Sequence, residues 1–373
     1  MTILNCKNKH ENLKKARRGV SVQSGFSLVE LMVGLVIGLL ATIVIVQVFS
    51  VFEGRKRSTS GTSDAQTNGS IALMSIQRNV QMAGYGLPLP MADKENSSLK
   101  CAAFADFDPD NDAATNNSTN LFPLVIVDGA NNASDTITVR YSTTAAGAIP
   151  VFITNAANAT SGTGMVLANN IGCNNNDIAL ISNGNNCMMA TVADANGNPN
   201  TPRNLALVAT TPAGGTLVTG AKLACMGNWQ NYTYQIVNNE LRLNGQPIVS
   251  EVVNMQAQYG ISSAANINQV NEWVNATAGS AWQIPTVADR NRIKAIRVAI
   301  VVRNGLLEKE AVSTACSSTT AANPQGVCAW DGSVFGAAPV INLSATPNWQ
   351  RYRYRVFETI IPMRNLIWSR EAL

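Results

Sequence analysis

Near the N-terminus, Gly25-Phe26-Ser27-Leu28-Val29-Glu30 combines residue types suited to chain cleavage followed by charge pairing. The six Lys and Arg residues of the chain's start, Lys7, Lys9, Lys14, Lys15, Arg17 and Arg18, all precede Gly25. A cut after Gly25 removes that charge and leaves a free amine on Phe26, four residues from the Glu30 carboxylate. From Phe26 to Phe52 the chain has no Lys, Arg or Pro, and Glu30 is its one ionisable side chain. A carboxylate inside a membrane helix costs on the order of 2.5 to 3.5 kcal/mol at the bilayer centre and less near the interface, so it needs a partner. Nothing else in that run supplies one. The expected partner is the Phe26 amine of a neighbouring subunit, which neutralises both charges where water is scarce.

The element that must carry this pair is a helix. At 1.5 Å per residue, the run from Phe26 to Phe52 gives roughly 40 Å of helix, enough to cross a hydrocarbon core of about 30 Å with some tilt. The six leading cations outnumber Arg55, Lys56 and Arg57 behind the run, which favours a cytoplasmic N-terminus and an exported bulk. A secretory signal would have a shorter apolar core with small residues after it; here the small residue, Gly25, comes before. Gly34 and Gly38 form a GxxxG spacing that suits close helix contact.

This arrangement resembles the class III signal of type IV prepilins and pseudopilins. The resemblance implies cleavage by a prepilin peptidase between Gly25 and Phe26, N-methylation of Phe26, and an assembly role for Glu30 as the fifth mature residue. Four further blocks, MSIQRNVQMAGYG, PIVSEVVNMQAQYGI, NRIKAIRVAIVVRN and RYRYRVFETIIPMRNLIW, resemble those of PilW, a minor pilin of type IV pili. The related pseudopilin J of type II secretion has a similar layout and stays as the alternative. Gln47 stands where many major pilins carry a helix-kinking Pro, which fits a minor pilin better. What the resemblance implies is a tip or initiation complex with other minor pilins and the major pilin, contact with the inner-membrane assembly platform and its cytoplasmic ATPases, and a PilY-type adhesin above it. The subunit would sit in the inner membrane with a periplasmic head before joining the pilus on the cell surface.

Charge and cysteines agree with export. The whole chain carries +4 and the first 25 residues carry +5, so the remainder carries −1 and the basic balance gives no reason to expect nucleic-acid binding. Of seven cysteines, Cys6 lies in the leader; Cys101, Cys173, Cys187, Cys225, Cys316 and Cys328 remain, an even number that suggests disulfides with 15 connectivities open. Local pairing of Cys173 with Cys187 and of Cys316 with Cys328 is preferred, leaving Cys101 with Cys225.

The expected fold class is α+β: a long N-terminal helix packed on an antiparallel sheet with long polar loops. The organisation is a leader over 1–25, an anchor helix over 26–52, its continuation over 53–86 and a β-rich head over 87–373. Residues 53–70 are rich in Ser, Thr and Gly and predict a weak or locally melted helix, whereas Leu73, Ile76, Val80 and Ala83 form a helical stripe that Gly84, Gly86 and Pro88 end. Short β-prone runs follow over 123–127, 135–141, 151–154, 177–182, 205–210, 232–237 and 241–243, then stronger ones over 248–259, 293–303 and 352–361. In the last run Arg351, Arg353 and Arg355 alternate with Tyr352, Tyr354 and Val356, reading as a wet and a packed face. The polar loops of 105–220 show no repeat and no hinge that would split the head.

Three other classes are weighed against this reading. The one histidine, His10, lies in the leader, so catalysis through Ser-His-Asp or Cys-His groups has no mature base; no P-loop, dinucleotide fingerprint or CxxC occurs, and no enzyme activity or cofactor is expected. Asp106, Asp108, Asp110 and Asp112 alternate like half a calcium loop, but Asn111 and Asn117 stand where such a loop needs Gly and Glu, so they read as a solvated acidic loop. For DNA capture, Arg351, Arg353, Arg355 and Arg364 offer charge without a basic stripe interleaved with aromatics.

Overall fold

The structure is a computed structural model that describes residues 25–87, 103–104, 122–144, 148–156, 164–169, 172–183, 186–195, 204–207, 220–317, 324–330 and 338–367. Residues 1–24 of the expected leader, Cys101 and the aspartates 106, 108, 110 and 112 lie outside the described residues. The chain divides into two units, residues 1–56 and 57–373.

Helix α1 covers Leu28–Met82. Its first part, in the N-terminal unit, is exposed from Leu28 to Phe52 and is apolar and long enough to cross a membrane. In the second unit the helix presents Ala65, Gly69, Ala72, Ile76 and Val80 to the core, at steps of three and four residues. The segment over 53–70 is thus regular helix rather than the weak one expected from its composition. Its small residues form the contact stripe, and Thr62, Thr67 and Ser70 return their hydroxyls to the carbonyls of Ser58, Ser63 and Gln66 four residues back.

Sixteen strands are described: β1 (Ala103–Phe104), β2 (Leu124–Val127), β3 (Thr136–Ser142), β4 (Val151–Asn155), β5 (Met165–Leu167), β6 (Ile178–Asn183), β7 (Asn186–Asp194), β8 (Asn204–Leu207), β9 (Lys222–Cys225), β10 (Trp229–Val237), β11 (Glu240–Leu243), β12 (Gln246–Ser250), β13 (Val252–Ile261), β14 (Glu272–Val274), β15 (Ile293–Arg303) and β16 (Tyr354–Pro362). One sheet has the order β12-β11-β10-β3-β2, another β14-β13-β15-β16, and both are antiparallel throughout. Asn238 and Asn239, both at positive φ, turn β10 into β11 in the left-handed geometry that two-residue hairpins favour. The α1 stripe and the inner faces of these two sheets share one core, including Ile126, Val139, Tyr234, Met255, Val298 and Ile361. The fold class is α+β.

The other seven strands form a third sheet with the order β1-β7-β6-β9-β4-β5-β8, in which β8 also pairs with β7. Its core is separate, with Ile153, Leu167, Ile181, Val192, Leu205 and Leu223 among its members. Five of the sixteen strands, β1, β5, β7, β9 and β14, fall where the sequence predicts loops.

Candidate assembly interface

Gly25, Phe26 and Ser27 precede the first turn of α1, and the Ser27 carbonyl accepts the Leu31 amide at 3.1 Å. Glu30 lies in that first turn, where unpaired amides and the helix dipole favour a negative charge. Phe26 is 82% exposed. Gly34 and Gly38, four residues apart, have open space where a side chain would stand. Thr42 keeps its hydroxyl inside the helix, donating to Gly38 O at 3.0 Å or Leu39 O at 2.8 Å. The anchor segment is therefore a continuous apolar surface with one carboxylate near its start and a small-residue notch.

The head grips the other part of α1 through backbone-close contacts. A β-carbon on Gly61 would collide with the Asn304 amide, and one on Gly69 with the Phe357 ring. Asn304 Nδ2 donates to Ser58 O at 3.2 Å, Asn68 Nδ2 to Ser250 O at 3.2 Å, and Ser58 Oγ to Glu308 Oε1 at 3.3 Å. Deeper in the head the fully buried Tyr234 ends in a hydroxyl that accepts from Asn79 Nδ2 at 2.6 Å and donates to Ser75 O at 3.0 Å. Burial pushes the Tyr234 phenol up, so it stays a neutral donor.

The arginine row does not converge on one ligand position. Arg353 Nε meets Glu308 Oε1 at 2.9 Å, and Arg351 Nε donates to Glu308 O at 2.6 Å. Arg355 is exposed beside a groove of about 520 Å³ that Thr62, Gln66 and Ser313 also line, and Arg364 is exposed in the short helix α3 (Arg364–Ile367). On the opposite side of β16, Tyr354 and Val356 pack against Ala299, Val301, Ile341 and Leu343. Two-sided alternation is thus present, with two of the arginines engaged by Glu308. Glu308 and Asn304 carry no pattern that marks them in the sequence; for the glycine stripe the spacing of Gly61, Ala65 and Gly69 by four is the available signal.

The disulfides correct two of the three expected pairings. Cys173 pairs with Cys225, not Cys187, with Cα atoms 5.2 Å apart, and Cys316 pairs with Cys328 at 4.8 Å. Strand β6 lies between β7 and β9: Ala179 faces Cys225 at its start, whereas Ser182 faces Cys187 near its end. Cys173 enters just before β6, so it reaches β9 and leaves Cys187 several residues away along the sheet. This pairing also withdraws Cys225 from Cys101.

A buried acid joins the two α1-bearing sheets. Asp135, 2% exposed, accepts the Gly129 amide at 2.9 Å and the Ala257 amide of β13 at 2.7 Å. Burial raises its pKa to about 7 against the pull of those two amides, and the neighbouring Asp128 carboxyl adds to the rise. Asp128 in turn accepts the Thr277 hydroxyl at 2.7 Å. Among the described residues no three His, Cys, Asp or Glu side chains gather as a metal site.

The strands that clasp α1 from β10 onward fall in one stretch of sequence, and that stretch is also where a known family is found. Residues 221–365 match PilW, the type IV pilus-assembly protein W. The PilW-matching stretch runs from β9 to the start of α3 and supplies Tyr234, Asn304, Glu308 and Phe357 to the grip on α1. Among solved structures, the chain is similar to a type IV-like pilin from Thermus thermophilus, 10% identical over 81% of this chain and 97% of that one, with a TM-score of 0.32. No curated protein matches significantly. The PilW match and the exposed apolar helix support a pilus-related role with membrane anchoring and contact with pilus machinery.

Proposed function

We propose that this chain is a minor pilin of the type IV pilus, acting in the initiation or tip complex. Prepilin peptidase cuts after Gly25 and the new N-terminus, Phe26, is methylated. The subunit waits in the inner membrane with its N-terminus on the cytoplasmic side and its head in the periplasm. It then enters the fibre through α1, where Glu30 pairs with a neighbour's N-terminal amine and Gly34 and Gly38 admit a neighbouring helix. One observation carries this reading: a single helix, α1, is bare and apolar in its first part, with Glu30 its one ionisable group, and is gripped in its second part by PilW-matching strands. The role is structural, and partners are other minor pilins, the major pilin, the assembly platform and a PilY-type adhesin.

The test is Glu30→Val in a strain that makes pili. The variant is expected to insert, lose its leader and accumulate in the membrane while disappearing from sheared fibres. Normal incorporation of the variant, or mature protein that still begins at Met1, would overturn the proposal.

A further inference from the structure

Strands β3 and β10 are antiparallel neighbours, and Ser142 at the end of one is directly opposite Trp229 at the start of the other. Two residues would suffice to connect such a pair. The chain instead inserts residues 143–228 there. Within this insertion, six strands follow one another around a ring, β7-β6-β9-β4-β5-β8, and Val192 of β7 opposite Leu207 of β8 closes it. Every pairing in the ring is antiparallel. Ring closure pairs the strand edges within the insertion, except at the start of β7, where Asn186 and Cys187 pair with the two-residue β1 from outside it. Its interior is filled by its own apolar residues, none of which belongs to the core that holds α1. The Cys173–Cys225 bond fastens one side of the ring to itself. Among the described residues, apolar contact with the rest of the head runs through a small cluster in which Leu87 and Trp229 meet Leu180, Ala224 and Met226, and β1 adds a two-residue strand pairing to β7.

We infer that residues 143–228 are an inserted β-barrel with its own folding core, carried by the pilin head as a display module that the head needs neither to fold nor to enter the fibre. Residues 143–228 contain four charged side chains, Asp177, Asp194, Arg203 and Lys222, and 15 asparagines. The signs cancel, so the module meets its surroundings through amides and hydroxyls rather than through long-range charge. Five of the six ring strands, β4 to β8, lie outside the PilW-matching residues and β9 falls at their start, while the α1-gripping strands β10 to β16 lie inside them.

The statement about fibre entry rests on the minor-pilin reading, so folding and assembly are measured separately. In the otherwise intact protein, Cys173→Ser with Cys225→Ser should give two calorimetric transitions, one lowered by more than about 10 °C and one unmoved. A single transition that shifts as a whole overturns the inference, whatever the pilus result. A second variant replaces residues 143–228 with Asn-Gly and Leu87 with Ser, to cover the apolar cluster the barrel leaves. It should keep the upper transition and enter sheared pili at wild-type level. Loss of that transition overturns folding independence; a retained transition with absence from fibres that do contain the unaltered protein overturns the display role. If the unaltered protein is itself absent from fibres, the minor-pilin reading fails and the barrel's folding independence is judged on calorimetry alone.

Discussion

Gly69 of α1 stands against the ring of Phe357 in β16 with no room between them for one more carbon. That closeness sets the distance between helix and sheet, and it explains why a glycine is kept in a helix it would otherwise weaken. Gly69→Ala gains about 1 kcal/mol of helix propensity. It also forces the ring aside, an overpacking that costs about 1 to 3 kcal/mol. Because three ring atoms lie in the way, the clash is expected to win, with a net loss of up to about 2 kcal/mol in denaturant unfolding of the head. Gly69→Ala combined with Phe357→Leu should recover part of the loss; two losses that simply add would show that the residues are not coupled.

How far the sequence reveals this fold depends on whether local pattern and tertiary need coincide. Strand β15 is legible to the residue, since Ile293 to Arg303 is a long β-branched run buried nearly throughout. Beside it, β13 is legible apart from the Glu251 kink that separates it from β12. The middle of α1 misleads because Gly61 and Gly69, which with Ala65 allow close packing, are poor helix formers taken alone. The barrel is the hardest part to read. Met165–Leu167 and Lys222–Cys225 are too short to show a period, and Asn186–Asp194 opens on an Asn that continues the turn-type run Asn183-Gly184-Asn185. Ring closure then pairs β7 with β8 in a way no local pattern encodes, and the same topology sends Cys173 to Cys225.

Asp135 should make the head less stable above neutral pH. Its carboxyl titrates at about 7 in the folded chain and at its ordinary 3.8 when unfolded. A folded value raised above the unfolded one means that the protonated form favours folding. The contribution is complete below pH 3.8 and is lost as pH rises through 7, amounting to roughly 4 kcal/mol at its limit. Urea midpoints of the head are expected to fall between pH 5 and pH 8. Asp135→Asn should flatten that slope while lowering stability at pH 5, since an amide nitrogen would then face a backbone N–H.

Disulfide mapping gives a discriminating result. Digestion without reductant is expected to yield a peptide joining Cys173 to Cys225 and another joining Cys316 to Cys328. By chain entropy the first, which spans 52 residues, contributes about 4 kcal/mol and the second, spanning 12, about 3 kcal/mol. A peptide joining Cys173 to Cys187 would mean that the order β7-β6-β9 is wrong, because only the far end of β6 approaches Cys187.

Tyr259 closes the outer edge of β2. Its hydroxyl accepts the Ile126 amide at 2.7 Å and lies 3.4 Å from Leu124 O, so the strand that ends one sheet is satisfied by a side chain from the other. The ring is fully buried, and burial holds the phenol well above its usual range. Tyr259→Phe keeps the packing and removes the hydroxyl, which accepts from Ile126 N–H and donates to Leu124 O, and leaves a buried N–H unpaired at a cost of about 1 to 3 kcal/mol. Amide exchange at Ile126 should accelerate far more than exchange at Ile137, which sits on the interior strand β3 opposite Ile126 and Tyr234. Equal acceleration at both would mean that the hydroxyl stabilises the core as a whole and does not cap this edge.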